Sequence, residues 1–224
     1  MVCINKWSEE DSYDFRDKYI ANGFNEDIAL RTYSSRLLGS DPELVLHGGG
    51  NTSVKTTYED LFGNAHSVLC VKGSGWDLAS IEPEGHPMVY LNPLLKLKKL
   101  NVLSDEDMVA LHRQNLINPK SPNPSVETLL HAFLPHKFID HTHSVALLSI
   151  ADQDNAAEIC TKIYGNEVAI IPYVMPGFDL AKLASEIHDQ AEEKAKSNSK
   201  ELKGMVLIKH GIFSFGKTAE ESYL

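Results

Sequence analysis

Six short runs rich in apolar or β-branched residues recur along the chain: ELVL (43–46), HSVLCVK (66–72), PMVYL (87–91), FIDHT (138–142), EVAII (167–171) and MVLIK (205–209). Their length and composition suit strands. Helical signals fill the intervals between them. Residues 26–38 (EDIALRTYSSRLL) predict a helix with Gly39 just past its end as a C-cap. Ser104 followed by Asp107 resembles a capping box that opens a helix through about 116, and residues 152–164 and 179–203 predict two more helices. Strands and helices intermixed in this way point to a layered α/β fold around a central sheet, whose strand order the pattern leaves open. With no repeat period and no flexible linker, one domain over residues 1–224 is expected.

Composition narrows the partners. A formal net charge of −10 argues against nucleic acid, which needs a basic field, and the cluster Lys96, Lys98, Lys99 reads as solvated helix surface. No run of 18 or more apolar residues is present, so no membrane partner is expected. The N-terminus is acidic and lacks an apolar signal segment, and Cys3, Cys70 and Cys160 form neither a disulfide framework nor a Cys-x-x-Cys pair. The cytoplasm is the expected location, which removes any meaning from the glycosylation-type triplet Asn51-Thr52-Ser53.

Three segments carry chemistry. In FIDHTHSV (138–145) a strand would project His141 and His143 to one face, where two imidazoles can share a tetrahedral metal. Taken alone, such a pair is equally well an accident of core or surface packing. His210 supplies a third ligand at the end of the apolar strand MVLIK, before Gly211, and completes the three-histidine pattern of a catalytic zinc with one open position. Of the other histidines, His47 is expected beside the site and His131 to pack within its helix or behind the site. His66, His86, His112, His136 and His188 are expected at edges or on exposed helix.

In PNPSVETLL (122–130) two prolines set an extended approach, and Ser125 is expected to cap a helix whose first turn holds Glu127. Glu127 reads either as an acid/base group or as a carboxylate that only complements the helix dipole. The glycine-rich stretches HGGGNTSVK (47–55) and KGSGWD (72–77) match neither a Walker A nor a dinucleotide fingerprint; together they suggest an anion cradle, and singly they read as turns.

The ordered blocks GGGNTSVK, VKGSGWDL, PNPSVETLLHAFLPHKFIDHTHS and LIKHGIFSFGKT resemble the class II aldolase/adducin family over nearly the whole chain, from about residue 25 onward. Within that family the chain most resembles the aldolase half of bacterial fusions of rhamnulose-1-phosphate aldolase with an alcohol dehydrogenase. The resemblance implies a three-layer α/β/α fold with a central, mostly antiparallel mixed sheet, assembled as a homotetramer with interfacial active sites. It implies zinc, or another divalent ion, on His141, His143 and His210, and Glu127 as the acid/base carboxylate. It further implies Gly50, Asn51, Ser74, Gly75 and Ser125 around a sugar-phosphate substrate. Two departures stand out: Val126 occupies a position where simple sugar-phosphate aldolases carry a second serine, and the dehydrogenase of the fused relatives is absent from these 224 residues.

The implied reaction is reversible cleavage of a ketose 1-phosphate, of rhamnulose- or fuculose-1-phosphate type, to dihydroxyacetone phosphate and a short aldehyde. Competing expectations are a retro-aldol epimerase, in which aspartate often replaces the glutamate, a Schiff-base aldolase using Lys72 or Lys209, and an inactive adducin-like scaffold.

Overall fold

The strand period of two sorts the chain into layers. In β2 (Ala65–Val71), Val68 and Cys70 face one way and Leu69 and Val71 the other, and all four are fully buried. A strand apolar on both faces needs helices on both sides. The structure, a computed structural model, describes residues 5–224, so Cys3 lies outside the described residues.

In chain order the elements are α1 (Glu9–Ala21), α2 (Glu26–Gly39), β1 (Asn51–Glu59), β2, β3 (Met88–Tyr90), α3 (Leu91–Leu97), α4 (Asp105–Gln114), α5 (Thr128–Phe133) and β4 (Phe138–Thr142). They continue with α6 (Val145–Ala151), α7 (Ala156–Tyr164), β5 (Val168–Ile171), α8 (Phe178–Ser197), β6 (Gly204–Leu207), β7 (Gly211–Gly216) and α9 (Ala219–Tyr223). The strands form one seven-stranded sheet in the order β3-β2-β1-β4-β7-β6-β5. Every neighbouring pair is antiparallel except β5 with β6. Helices α3, α5 and α8 cover one face over a core that includes Leu69, Leu129, Ile139, Phe178 and Met205. On the opposite face α2 and α9 pack over Val54, Cys70 and Phe138. The expected mostly antiparallel mixed sheet between helices is what the chain forms.

Side-chain caps open helices α2 and α4. Asn25 Oδ1 accepts from the Ile28 amide at 2.9 Å at the start of α2, and Ser104 Oγ accepts from Asp107 at 3.1 Å at the start of α4. Elsewhere tertiary contacts overrode the pattern. ELVL is not a strand: the turn begun at Asp41 folds it back, with the Val45 amide on the Asp41 carbonyl at 3.0 Å. Gly39 lies within α2 rather than beyond it. A Cβ there would sit 2.1 Å from the Ala79 nitrogen, so close packing, not a left-handed cap, demands the glycine.

Residues 152–164 do not form one helix. A turn at 152–155 separates α6 from α7, and α8 ends at Ser197, short of 203. Strands β1 and β7 and helices α1 and α6 lie outside the sequence-based expectations.

Candidate metal centre

Strand β4 is buried along its whole length and carries the first candidate ligand, His141, at the centre of the sheet. In register, Asn51 of β1 and Phe213 of β7 flank it, so the three side chains share one face. The His141 ring stacks on Phe213 at 4.3 Å between centroids. Its Nδ1 donates to the Ile212 carbonyl at 3.0 Å, which directs the Nε2 lone pair into the site. His143 follows two residues later, its amide held by the Leu44 carbonyl at 3.0 Å, and its Nε2 lies 3.0 Å from His141 Nε2.

His210 does not end a strand: β6 stops at Leu207, and the turn Ile208–His210, with Lys209 at φ 58°, delivers the imidazole. The candidate nitrogens of His141, His143 and His210 all lie within 4.8 Å of one another, the one such three-residue group among the described residues.

Two glycines make this closure possible. A Cβ on Gly211 would lie 3.0 Å from both His141 Cε1 and His143 Cδ2, and 2.5 Å from the Thr142 carbonyl. Gly50 has φ +63°, and a Cβ there would meet the His141 carbonyl at 2.7 Å. Burial disfavours the charged imidazole, pulling His141 down to about 3 and His210 to about 4, and His143 is lowered for the same reason. All three are therefore neutral near pH 7, the state that ligates a metal.

Glu127 faces this cluster. Its Oε1 is 3.4 Å from His210 Nε2 and its Oε2 is 3.5 Å from His141 Nε2. It stands at the N-cap of α5, not within the first turn, and Ser125 does not cap the helix: Ser125 Oγ accepts from the Glu127 amide at 3.2 Å, shaping the turn that precedes it. Asn51 Nδ2 donates to Glu127 Oε2 at 2.6 Å and to Ser125 Oγ at 3.3 Å, and Asn51 Oδ1 accepts from His131. Glu127 Oε1 is buried and has no hydrogen-bond partner.

The loop carrying Ser74 and Gly75 is stitched to the same segment, since the Ser74 amide donates to the Asn123 carbonyl at 2.7 Å and the Ser125 amide to the Lys72 carbonyl at 3.1 Å. Ser74 and Gly75 are exposed, as is Val126, while Gly50, Asn51 and Lys72 are buried. Lys72, for which the sequence offers no desolvating surroundings, donates through Nζ to the Gly48 and Gly50 carbonyls at 2.5 and 3.1 Å, and burial lowers its pKa.

The dull histidines divide differently from expectation. His47 is exposed, while His86, His112 and His188 are buried in the interior rather than at edges or on exposed helix. His131 is fully buried behind Asn51, in keeping with its expected place within its helix or behind the site.

A model of the "Class II Aldolase and Adducin N-terminal domain" family matches residues 31–224. A Bacillus subtilis (strain 168) protein named as an uncharacterized oxidoreductase, YuxG, is 41% identical over 191 residues, which cover 85% of this chain and 27% of that protein. This chain therefore spans about a quarter of that relative's length. The N-terminal class II aldolase domain of a conserved protein from Thermoplasma acidophilum superposes with TM-score 0.83 at 42% identity, over 99% of this chain and 93% of that one. A sugar-phosphate aldolase from Thermotoga maritima shares the fold, with TM-score 0.58 at 16% identity over 87% of each chain. The chain belongs to the class II aldolase/adducin family.

Proposed function

We propose that this chain is a zinc-dependent aldolase that reversibly cleaves a ketose 1-phosphate, of rhamnulose- or fuculose-1-phosphate type, to dihydroxyacetone phosphate and a short aldehyde. The observation that carries the reading is the convergence of three histidine side chains on a carboxylate with one unpartnered buried oxygen. The donor set fits a divalent ion. Two nitrogens on one tetrahedral zinc stand about 3.3 Å apart, and His141 and His143 present theirs at 3.0 Å. A metal bound there supplies Lewis-acid polarisation of the substrate's carbonyl and hydroxyl oxygens.

The chain's own residues do the rest. Glu127 takes and returns the proton at carbon 3 of the ketone fragment, with Oε1 the free oxygen. Gly50, Asn51, Ser74, Gly75 and Ser125 surround the phosphate end, where loop amides and hydroxyls orient the substrate. Val126, half exposed beside Glu127, replaces one hydroxyl contact with an apolar one.

Glutamate rather than aspartate at position 127 favours cleavage over retro-aldol epimerisation. Retention of the full constellation favours an enzyme over an adducin-like scaffold. The desolvation of Lys72 supports a second, Schiff-base reading, although two backbone carbonyls already hold its amine. We further assign the chain to the cytoplasm, as a single domain in a homotetramer, related to the aldolase part of the rhamnulose-1-phosphate aldolase–alcohol dehydrogenase fusions.

The test pairs elemental analysis with cleavage of rhamnulose 1-phosphate and fuculose 1-phosphate, with and without chelator. About one zinc per chain and chelator-sensitive aldehyde release are expected. Chelator-resistant cleavage with borohydride trapping of substrate on Lys72 would establish the Schiff-base reading instead, and an epimer without free aldehyde would establish the epimerase.

A further inference from the structure

A file of hydrogen bonds runs inward from Glu127. Asn51 Nδ2 reaches Glu127 Oε2 at 2.6 Å, His131 Nε2 reaches Asn51 Oδ1, and Ser53 Oγ lies 2.7 Å from His131 Nδ1. The elements explain the alignment. Asn51 and Ser53 are alternate residues of β1 and share a face, and His131 stands one helical turn beyond Glu127, over that face.

Each polarity dictates the next. A carboxylate oxygen only accepts, so the Asn51 atom facing it is the amide nitrogen. The Asn51 carbonyl then faces His131, whose Nε2 must carry a proton. Complete burial keeps this imidazole neutral, so Nδ1 is a lone pair and receives the Ser53 hydroxyl. Were His131 the other tautomer, Asn51 would turn over and set its carbonyl against the carboxylate.

We infer that His131 is a positioning residue: through Asn51 it ties Glu127 by Oε2 and leaves Oε1 as the oxygen that handles the substrate proton. This rests on the proposed role of Glu127. It also reassigns the Asn51 side chain, which uses both amide hydrogens on Glu127 and Ser125, from gripping phosphate to aiming the carboxylate.

The experiment compares His131→Gln with His131→Asn in the zinc-loaded protein. A glutamine amide nitrogen sits near the place of Nε2 and preserves the donor to Asn51; an asparagine amide sits near Nδ1 and does not. Cleavage of rhamnulose 1-phosphate by H131Q should stay within about threefold of wild type, while H131N loses on the order of 100-fold in kcat. KM and zinc stoichiometry should be little changed in both. Equal activity of the two variants, or a loss confined to KM or to zinc, overturns the inference.

Because either variant could misfold, the wild-type protein labelled with 15N-histidine gives an independent reading by long-range 1H–15N NMR. His131 should show the neutral Nε2–H tautomer; an Nδ1–H tautomer or an imidazolium overturns the inference. Glu127→Gln is assayed alongside. Full activity there overturns the role of Glu127 itself, whereas loss there with H131N unaffected overturns only the role of His131.

Discussion

At the scale of single residues, the candidate centre depends on what is missing as much as on what is present. Gly211 contributes no side chain, and that absence leaves room for the rings of His141 and His143. Gly211→Ala would push a methyl group into both rings, and since groups that orient metal ligands govern affinity by about 10–100-fold, zinc binding should weaken by at least about tenfold. Competition with a chromophoric chelator measures it, and unchanged affinity would mean the rings do not close on one ion. His141→Ala goes further. His141 is the most buried of the three and its tautomer is set by the Ile212 carbonyl, so the variant should copurify with no zinc. Full zinc occupancy in that variant would sink the ligand assignment.

At the scale of elements, β4 is held from behind by a buried ion pair. Arg31 of α2 meets Asp140 at 2.5 Å, and the same guanidinium reaches the Ser53 and Ile139 carbonyls at 3.4 and 3.5 Å. Ser222 of α9 donates to the other Asp140 oxygen at 2.7 Å. Asp140 is the neighbour of His141 and projects from the opposite face, so one strand carries the candidate site on one side and its anchor on the other. Removing one partner strands a charge in the interior, so Arg31→Met should cost about 3–5 kcal/mol in urea unfolding. Restoring apolar balance with Asp140→Leu in the same chain should recover part of that loss. A double variant less stable than the sum of the two singles would refute the pairing.

At the scale of the whole molecule, histidines buried without charge set the acid limit of the fold. Burial holds His86 near 3, with the Arg31 charge adding to the effect, and holds His112 near 4. Their native pKa values lie below the unfolded value near 6.5, so in that interval the unfolded chain binds more protons and stability rises with pH. The stability these two histidines contribute is fully present above about 6.5 and is lost as the pH drops toward 4, each imidazole contributing about 1.4 kcal/mol per pH unit. The melting temperature of metal-free protein should thus decline steeply as the pH drops below 6.5. A melting temperature independent of pH down to 4.5 would contradict these burials.

Much of this architecture was legible in the order of residues. Periodicity marks β2, β4 and β5 because their apolar runs are flanked by turn residues, and a side-chain cap marks the start of α4 because Ser104 acts on the amide three residues away. His141 and His143 are legible as a pair because a strand places alternate residues together, and the four sequence blocks carry the family. These are short-range relations, set by backbone geometry and readable locally. What only the tertiary structure decided lies at long range. ELVL satisfies a strand pattern yet pairs its backbone with the segment after β4, and β1 begins at Asn51 inside a stretch whose glycines read as loop. The Asn51–His131 contact joins residues 80 positions apart. The fit of Gly39 against Ala79, the delivery of His210 by a turn and the orphaned oxygen of Glu127 likewise follow from which surfaces meet. Composition and periodicity prescribe which face of an element is buried; they leave open what it is buried against, and it is that second choice that assembles the site.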